Sequence, residues 1–248
     1  MIRTASFELA ILARGEENAD KLAILIPGRL DTKDYANFVS HAEYLAARGY
    51  YAIAFDPPGT WESQGDMGMY TTANYIRSIE ELIVYFGNKP TLLLGHSRGG
   101  TAAILANANP AVTGIVLILS NYSMPSLPAE DELAIGFQIS HRDMPPGGRE
   151  TEEQKEFRLP LSYWEDAKQF DPLAVLRQCT KPKLIISATQ DEFISSQKVR
   201  EIYDSVPEPK MFRIIDAAHD YRYYPEAIAA VNEAIGEFLQ KQLLIGRE

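Results

Sequence analysis

Gly95-His96-Ser97-Arg98-Gly99-Gly100 constrains this chain more than any other stretch. An apolar run, Leu92-Leu93-Leu94, leads into it, and a small-residue run, Thr101-Ala102-Ala103-Ile104-Leu105-Ala106, leads out. The pattern reads as strand, tight turn and helix with a serine at the tip, the setting a G-x-S-x-G elbow requires. A turn this sharp strains the serine backbone. Side chains two residues to either side would collide, so glycine at 95 and 99 meets a steric demand. The tip lifts the hydroxyl clear of the sheet and aims the free N–H groups of the next helix at the space above Ser97. Such a serine needs a histidine, an acid and a second backbone donor from elsewhere in the chain.

The flanking segments supply the frame. Short continuous apolar runs at 22–26, 51–55, 115–119, 183–188 and 211–215 read as strands covered on both faces. Residues 2–13 alternate loosely and read as an antiparallel edge strand, or as one arm of a hairpin with the 22–26 strand. A helix is expected from about 34 to 48, with Phe38, His41, Ala42 and Leu45 on one stripe and Gly49 as its stop. Thr71 or Thr72 caps a second helix reaching about residue 86, and Ser195 or Ser196 a later one carrying Val199 and Ile202. Pro225 opens the last, with Ile228, Val231, Ile235 and Phe238 at helical spacing. Strands alternating with helices predict an α/β fold: a mainly parallel twisted sheet with helices on both faces. Between about 121 and 171 the texture changes to prolines, acids and broken periodicity. That stretch reads as a cap insertion of small helices and loops within one domain over 1–248.

In such sheets, sites form where the strands end. Arg29, Ser97, Asp191 and His219 each follow a predicted strand, so one sheet edge can gather them. Of the four histidines, His219 has the right place for a base. His41 sits in a helix stripe, His141 lies in the insertion, and His96 precedes the serine on a turn whose neighbouring side chains diverge. Asp191 is the expected acid, since it ends the preceding strand. Glu192 is its nearest competitor, Asp216 and Asp220 lie too close in sequence to reach round, and no acid follows Leu119. The backbone N–H groups of Arg98 and Arg29 are the expected oxyanion donors, with Gly28 letting that loop approach a substrate. The side chains of both arginines either take a substrate carboxylate or pair with scaffold acids, the second being favoured. Apolar insertion residues (Leu127, Leu133, Ile135, Phe137, Phe157, Leu159, Leu161, Tyr163 and Trp164) either line a pocket or anchor the cap.

Composition narrows the classes. The net charge of −10 argues against nucleic acid and anionic membrane surfaces as partners. A single cysteine, Cys179, forms no internal disulfide, and no Cys/His cluster has zinc spacing, so no metal and no cofactor are expected. No secretory signal or membrane-spanning run is visible, which makes the cytoplasm the expected compartment. Nothing in the sequence sets the oligomeric state.

These residues resemble the α/β-hydrolase fold family over about 22–239. The order of Ser97, Asp191 and His219 matches that family's nucleophile, acid and histidine. Within it the chain is most similar to small serine esterases with a short cap, of the cinnamoyl/feruloyl-esterase or acyl-peptidase-related kind. Asp56-Pro57-Pro58-Gly59-Thr60-Trp61-Glu62-Ser63 resembles that group's D-x-x-G-x-G-x-S loop. The second glycine is missing, and Glu62 stands where a shorter or basic residue is usual. Pro27-Gly28 replaces the common His-Gly, removing a side chain that usually braces the oxyanion loop. The resemblance implies ester or amide hydrolysis through an acyl-enzyme, with a small-molecule ester as the expected partner. A peptidase or amidase on the same site, and a non-catalytic binding protein that keeps the fold, are the alternatives.

Overall fold

The computed structural model describes residues 1–123 and 125–245. Residues 124 and 246–248, part of the span read above as one domain, lie outside the described residues. The first half runs β1 (Ile2–Arg3), β2 (Glu8–Leu9), β3 (Ile11–Arg14), β4 (Lys21–Ile26), α1 (Ala36–Ala46), β5 (Tyr50–Phe55), α2 (Thr72–Tyr85), β6 (Thr91–His96), α3 (Arg98–Ala106) and β7 (Val112–Ile118). Then come α4 (Glu130–Ile135), β8 (Phe137–Asp143), β9 (Gln154–Pro160), α5 (Ser162–Ala167), α6 (Pro172–Gln178), β10 (Lys183–Gln190), α7 (Ser196–Ser205), β11 (Lys210–Ala218) and α8 (Pro225–Ile245).

Seven strands form the central sheet in the order β11-β10-β7-β6-β4-β5-β3. All neighbours are parallel except β3, which runs antiparallel on the edge beside β5. The edge strand expected within 2–13 is therefore β3, but it makes no hairpin with β4, because β5 and β6 already occupy both sides of β4. β1 and β2 form a separate two-stranded ladder.

The continuous apolar runs are explained by burial on both faces. Ile24, Leu93, Ile115 and Ile185 point to one side, where Ile79, Ala103, Leu176 and Val199 of the helices meet them. Leu25, Leu94, Val116 and Ile186 point to the other, against Phe38, Leu45, Val231 and Ile235. Burying each such side chain stabilises the fold by about 1.5–3 kcal/mol. Thr71 caps α2 by accepting the Asn74 N–H, and Ser195 caps α7 through the Lys198 N–H.

Register then positions the site. Ile26 pairs with Gly95 and Gln190 with Ala218, so the chain leaves β4 level with the elbow, and Asp191 leaves the sheet beside His219.

The insertion departs from the expectation of helices and loops alone. β8 and β9 pair as an antiparallel hairpin, Phe137 against Pro160 through Asp143 against Gln154. Its strands lack an apolar run because one face stays open to water. The inward positions on β9, Phe157 and Leu159, are buried with Leu30, Tyr70, Tyr163 and Trp164.

His41 lies wholly inside the α1–α8 packing. Its Nδ1 is 2.7 Å from Asn232 Oδ1 and its Nε2 2.8 Å from the Tyr221 hydroxyl. Burial pushes its pKa down to about 4 from the ordinary 6.5. Between those values the unfolded chain binds a proton that the folded chain refuses. Stability is thus complete above pH 6.5 and drains as pH falls toward 4. Replacing His41 by Gln is expected to remove about 3 kcal/mol of this pH dependence, read from urea unfolding at pH 7 and pH 4 in the two proteins.

Candidate active site

Ser97 takes φ 51° and ψ −118°, an unfavourable conformation for a non-glycine residue. The surroundings hold it there. Its N–H donates to the Ile118 carbonyl at 3.0 Å, and its own carbonyl accepts from Gly100 at 3.0 Å and Asn121 at 3.3 Å. The expected steric demand is visible at both glycines. A Cβ at Gly95 would lie 2.3 Å from the Gly99 carbonyl, and one at Gly99 would lie 1.9 Å from the Ile26 oxygen.

The sheet edge brings Ser97, His219 and Asp191 together. His219 Nε2 is 2.9 Å from Ser97 Oγ, and His219 Nδ1 is 3.1 and 3.2 Å from the two Asp191 oxygens. The Asp191 carboxylate is almost fully buried, with a side-chain exposure of 1%. Burial works to raise its pKa, but the His219 hydrogen bond and charge and the N–H groups of Phe193 and Ile194 outweigh that and hold it below the ordinary carboxylate value. Glu192, the competitor, instead accepts the His219 backbone N–H at 3.2 Å. Asp216 accepts from Thr189 and Gln190, and Asp220 lies 3.5 Å from Arg222.

Across from the elbow, the loop after β4 carries the N–H of Arg29. Among the described residues, neither this N–H nor that of Arg98 donates to a protein acceptor. Four contacts hold the loop despite Pro27. Tyr75 donates its hydroxyl to the Pro27 carbonyl at 2.7 Å, and Leu30 N–H donates to the Tyr70 hydroxyl at 3.0 Å. Trp61 Nε1 donates to the Leu30 carbonyl at 2.8 Å, and Arg142 Nε donates to the Arg29 carbonyl at 2.9 Å. Leu30 sits at φ 59° and Trp61 at φ 45°. The position where the glycine is missing thus keeps a left-handed backbone, and the indole that stands there ties the loop from the side. Glu62 reaches back to Lys33 Nζ at 2.6 Å, and buried Asp56 accepts from Lys33 N–H and Thr32.

Sequence reasoning missed how His96 is used. Its ring lands beside that of His219, with the two ring centres 5.1 Å apart. His96 Nε2 is 3.2 Å from the His219 carbonyl and Nδ1 3.2 Å from buried Asp31. Asp31 Oδ1 in turn lies 3.5 Å from Arg142 of the hairpin. Burial works to raise the Asp31 carboxyl, and the His96 hydrogen bond with the Arg142 charge brings it below its ordinary value. The contact is between segments about 120 residues apart, so no local pattern could announce it.

A cavity of about 420 Å³ opens above Ser97, lined by Arg29, Arg98, Leu119, Asn121, Arg142, Tyr163, Phe193 and His219 among others. Of the apolar insertion residues, Tyr163 lines it, while Phe157, Leu159 and Trp164 are packed into the cluster that anchors the cap. Leu127, Leu133 and Ile135 face solvent. The favoured pairing of Arg29 and Arg98 with scaffold acids does not occur: among the described residues no carboxylate lies within 4 Å of either guanidinium. Arg29 reaches Gln138 and Ser140 instead, and Arg98 lies against the rings of Tyr163 and Tyr70.

This chain belongs to the alpha/beta hydrolase family, whose model matches residues 23–231. It is 24% identical over 215 residues to the mitochondrial palmitoyl-protein thioesterase ABHD10 of Mus musculus, covering 82% of this chain and 70% of that protein. The ferulic acid complex of Est1E from Butyrivibrio proteoclasticus superposes with a TM-score of 0.74 at 20% identity, over 98% of both chains. Monoacylglycerol lipase of Paleococcus ferrophilus gives 0.73 at 20% identity, over 94% of this chain and 98% of that one. These likenesses fit the resemblance to small esterase-like members drawn from the sequence. Among the described residues no helix is long and apolar enough to cross a membrane.

Removing the Tyr70 hydroxyl leaves the buried Leu30 N–H without its acceptor. Tyr70→Phe is expected to lower unfolding free energy by about 1–3 kcal/mol, measured by urea denaturation against the parent.

Proposed function

We propose that this protein is a serine hydrolase that cleaves carboxylic esters through an acyl-enzyme. The observation that carries the reading is the 2.9 Å contact of His219 Nε2 with Ser97 Oγ, backed by Asp191 on the other ring nitrogen. Within hydrogen-bond reach, the neutral imidazole takes the hydroxyl proton as Oγ attacks the ester carbonyl. The charge that gathers on the carbonyl oxygen is met by the N–H groups of Arg29 and Arg98, which among the described residues have no protein acceptor to give up. Asp191 keeps the ring's Nδ1–H directed at itself and stabilises the imidazolium while remaining ionised. His219 then returns the proton to the departing alkoxide, and the acyl group stays on Ser97. Water enters, loses a proton to the same nitrogen and attacks the acyl carbonyl; the acid leaves as His219 returns that proton to Ser97 Oγ, which restores the starting site.

The thioesterase among the relatives supports including thioesters, since the same steps release a thiolate. An amide needs its poorer leaving group protonated by the same imidazole, so matched ester, thioester and anilide substrates with one acyl group separate these activities. Esterase or thioesterase rates well above the anilidase rate are expected.

A fluorophosphonate probe is expected to label Ser97 in the parent protein and nothing in Ser97→Ala. The absence of labelling, with no hydrolysis of any ester, would overturn the reading in favour of a binding protein. Asp191→Asn is expected to lower kcat/KM by about four orders of magnitude and Ser97→Ala by about six, with circular dichroism unchanged.

A further inference from the structure

Two arginines line the cavity, and among the described residues neither has a carboxylate within 4 Å. Arg98 is 7% exposed, and its guanidinium carbon lies 4.2 Å from the ring centre of Tyr163, a residue of the cavity wall, and 5.0 Å from that of Tyr70. An arginine offers five N–H donors. Among the described residues, the only hydrogen bond from this one is a 3.4 Å contact of Nη2 with the Thr72 hydroxyl, and its Nε is buried with no acceptor. Arg29 lies 5.9 Å from the ring centres of both Tyr163 and Trp164; its Nη2 donates to Gln138 and Ser140, while its Nε is buried with no acceptor among the described residues.

The nearby acids are committed elsewhere. Asp166 accepts the N–H groups of Thr72 and Ala73 at the start of α2. Glu132 accepts from the Gln138 amide at 2.9 Å, so it reaches Arg29 only through Gln138. Asp31 faces His96 and Arg142. Across the cavity Glu192 and Asp220 hold the His219 loop and Arg222. Aromatic faces offset part of the cost of a buried cation, but they leave its N–H donors unmet. A planar group with two acceptor oxygens and a negative charge answers both needs, and a guanidinium fork matches a carboxylate in a bidentate pair.

We propose that the substrates of this site are esters or thioesters that carry a free carboxylate, seated between Arg98 and Arg29 while the scissile carbonyl lies at Ser97. The half-esters of aliphatic dicarboxylic acids are the simplest members of this class. The hydrolysis part rests on the serine hydrolase reading above; the anion site itself does not. One side of the cavity then serves two purposes: the backbones of 29 and 98 face the reacting oxygen, and their side chains hold the remote charge. Binding energy from that charge fixes the ester carbonyl in place before attack.

The test uses monomethyl esters of succinate through suberate and the matched compounds in which the free acid is a carboxamide. Isothermal titration calorimetry on the Ser97→Ala protein measures binding without turnover. The acid is expected to bind about 10- to 100-fold more tightly than the amide for at least one chain length. In the parent protein the kcat/KM ratio of acid to amide is expected to show the same preference. Adding Arg98→Met or Arg29→Gln is expected to bring both ratios close to one. Arg98→Lys, which keeps the charge and loses the fork, is expected to retain part of the preference, and serves where Arg98→Met fails to fold. Equal binding of acid and amide across the series, or a preference that survives both arginine substitutions, overturns the proposal. Labelling of Ser97 and turnover of neutral esters without any acid preference leaves the hydrolase reading standing and this one fallen. Acid-selective binding to Ser97→Ala with no turnover and no labelling in the parent does the reverse.

Discussion

The site depends on how closely α3 approaches the end of β4. Gly99 lies so near the Ile26 carbonyl that any side chain would occupy the same space. That contact cannot form unless the elbow turns as sharply as it does, and the turn forces Ser97 to a positive φ. One steric fact thus has two consequences. The serine is raised above the sheet, and the N-terminus of α3 is drawn against the loop that leaves β4. Arg98 and Arg29 line the same cavity because their segments touch at Gly99. The strain at Ser97 persists because parallel strands on both sides over-determine the path of β6.

The loop after β4 shows a second way of holding an unfavourable backbone. In place of one bracing side chain, this protein distributes the work over Tyr70, Tyr75, Trp61 and Arg142. Two of these come from α2 and the turn leading into it, one from the loop after β5 and one from the cap. The cap is therefore part of the site's support. Its hairpin reaches the Arg29 carbonyl and Asp31 through Arg142, and Asp31 reaches the His219 carbonyl through His96. Asp143, at the end of β8, meets Arg222 and Tyr223 just beyond His219. The cap thus grips the loop after β4 and the loop after β11.

Much of this arrangement was legible in the sequence. The apolar runs, the helix starts at Thr71 or Thr72 and at Ser195 or Ser196, and the glycines at 95 and 99 each express a demand met within a few residues; the structure selects Thr71 and Ser195 as the caps. The order of Ser97, Asp191 and His219 placed them on one edge once the strands were parallel, and Gln190 pairing with Ala218 is what sets Asp191 beside His219. The β8–β9 hairpin was missed because half its surface faces water. Its alternation is interrupted by polar residues, and the inward contacts of Phe157 and Leu159 are with Leu30 and Tyr70, which no local pattern names.

The arginines mark the boundary between the two kinds of information. That cations stand at 29 and 98, each beside a backbone amide at a strand end, could be read along the chain, because residue type and strand position are local properties. Whether those cations would be neutralised was settled by packing. A salt bridge depends on which distant carboxylate the fold brings within about 4 Å. Here the packing delivers Asp166 to the start of α2 and Asp31 to His96, and gives Arg98 two aromatic faces. Periodicity and steric limits act between neighbours along the chain, whereas pairing acts between neighbours in space.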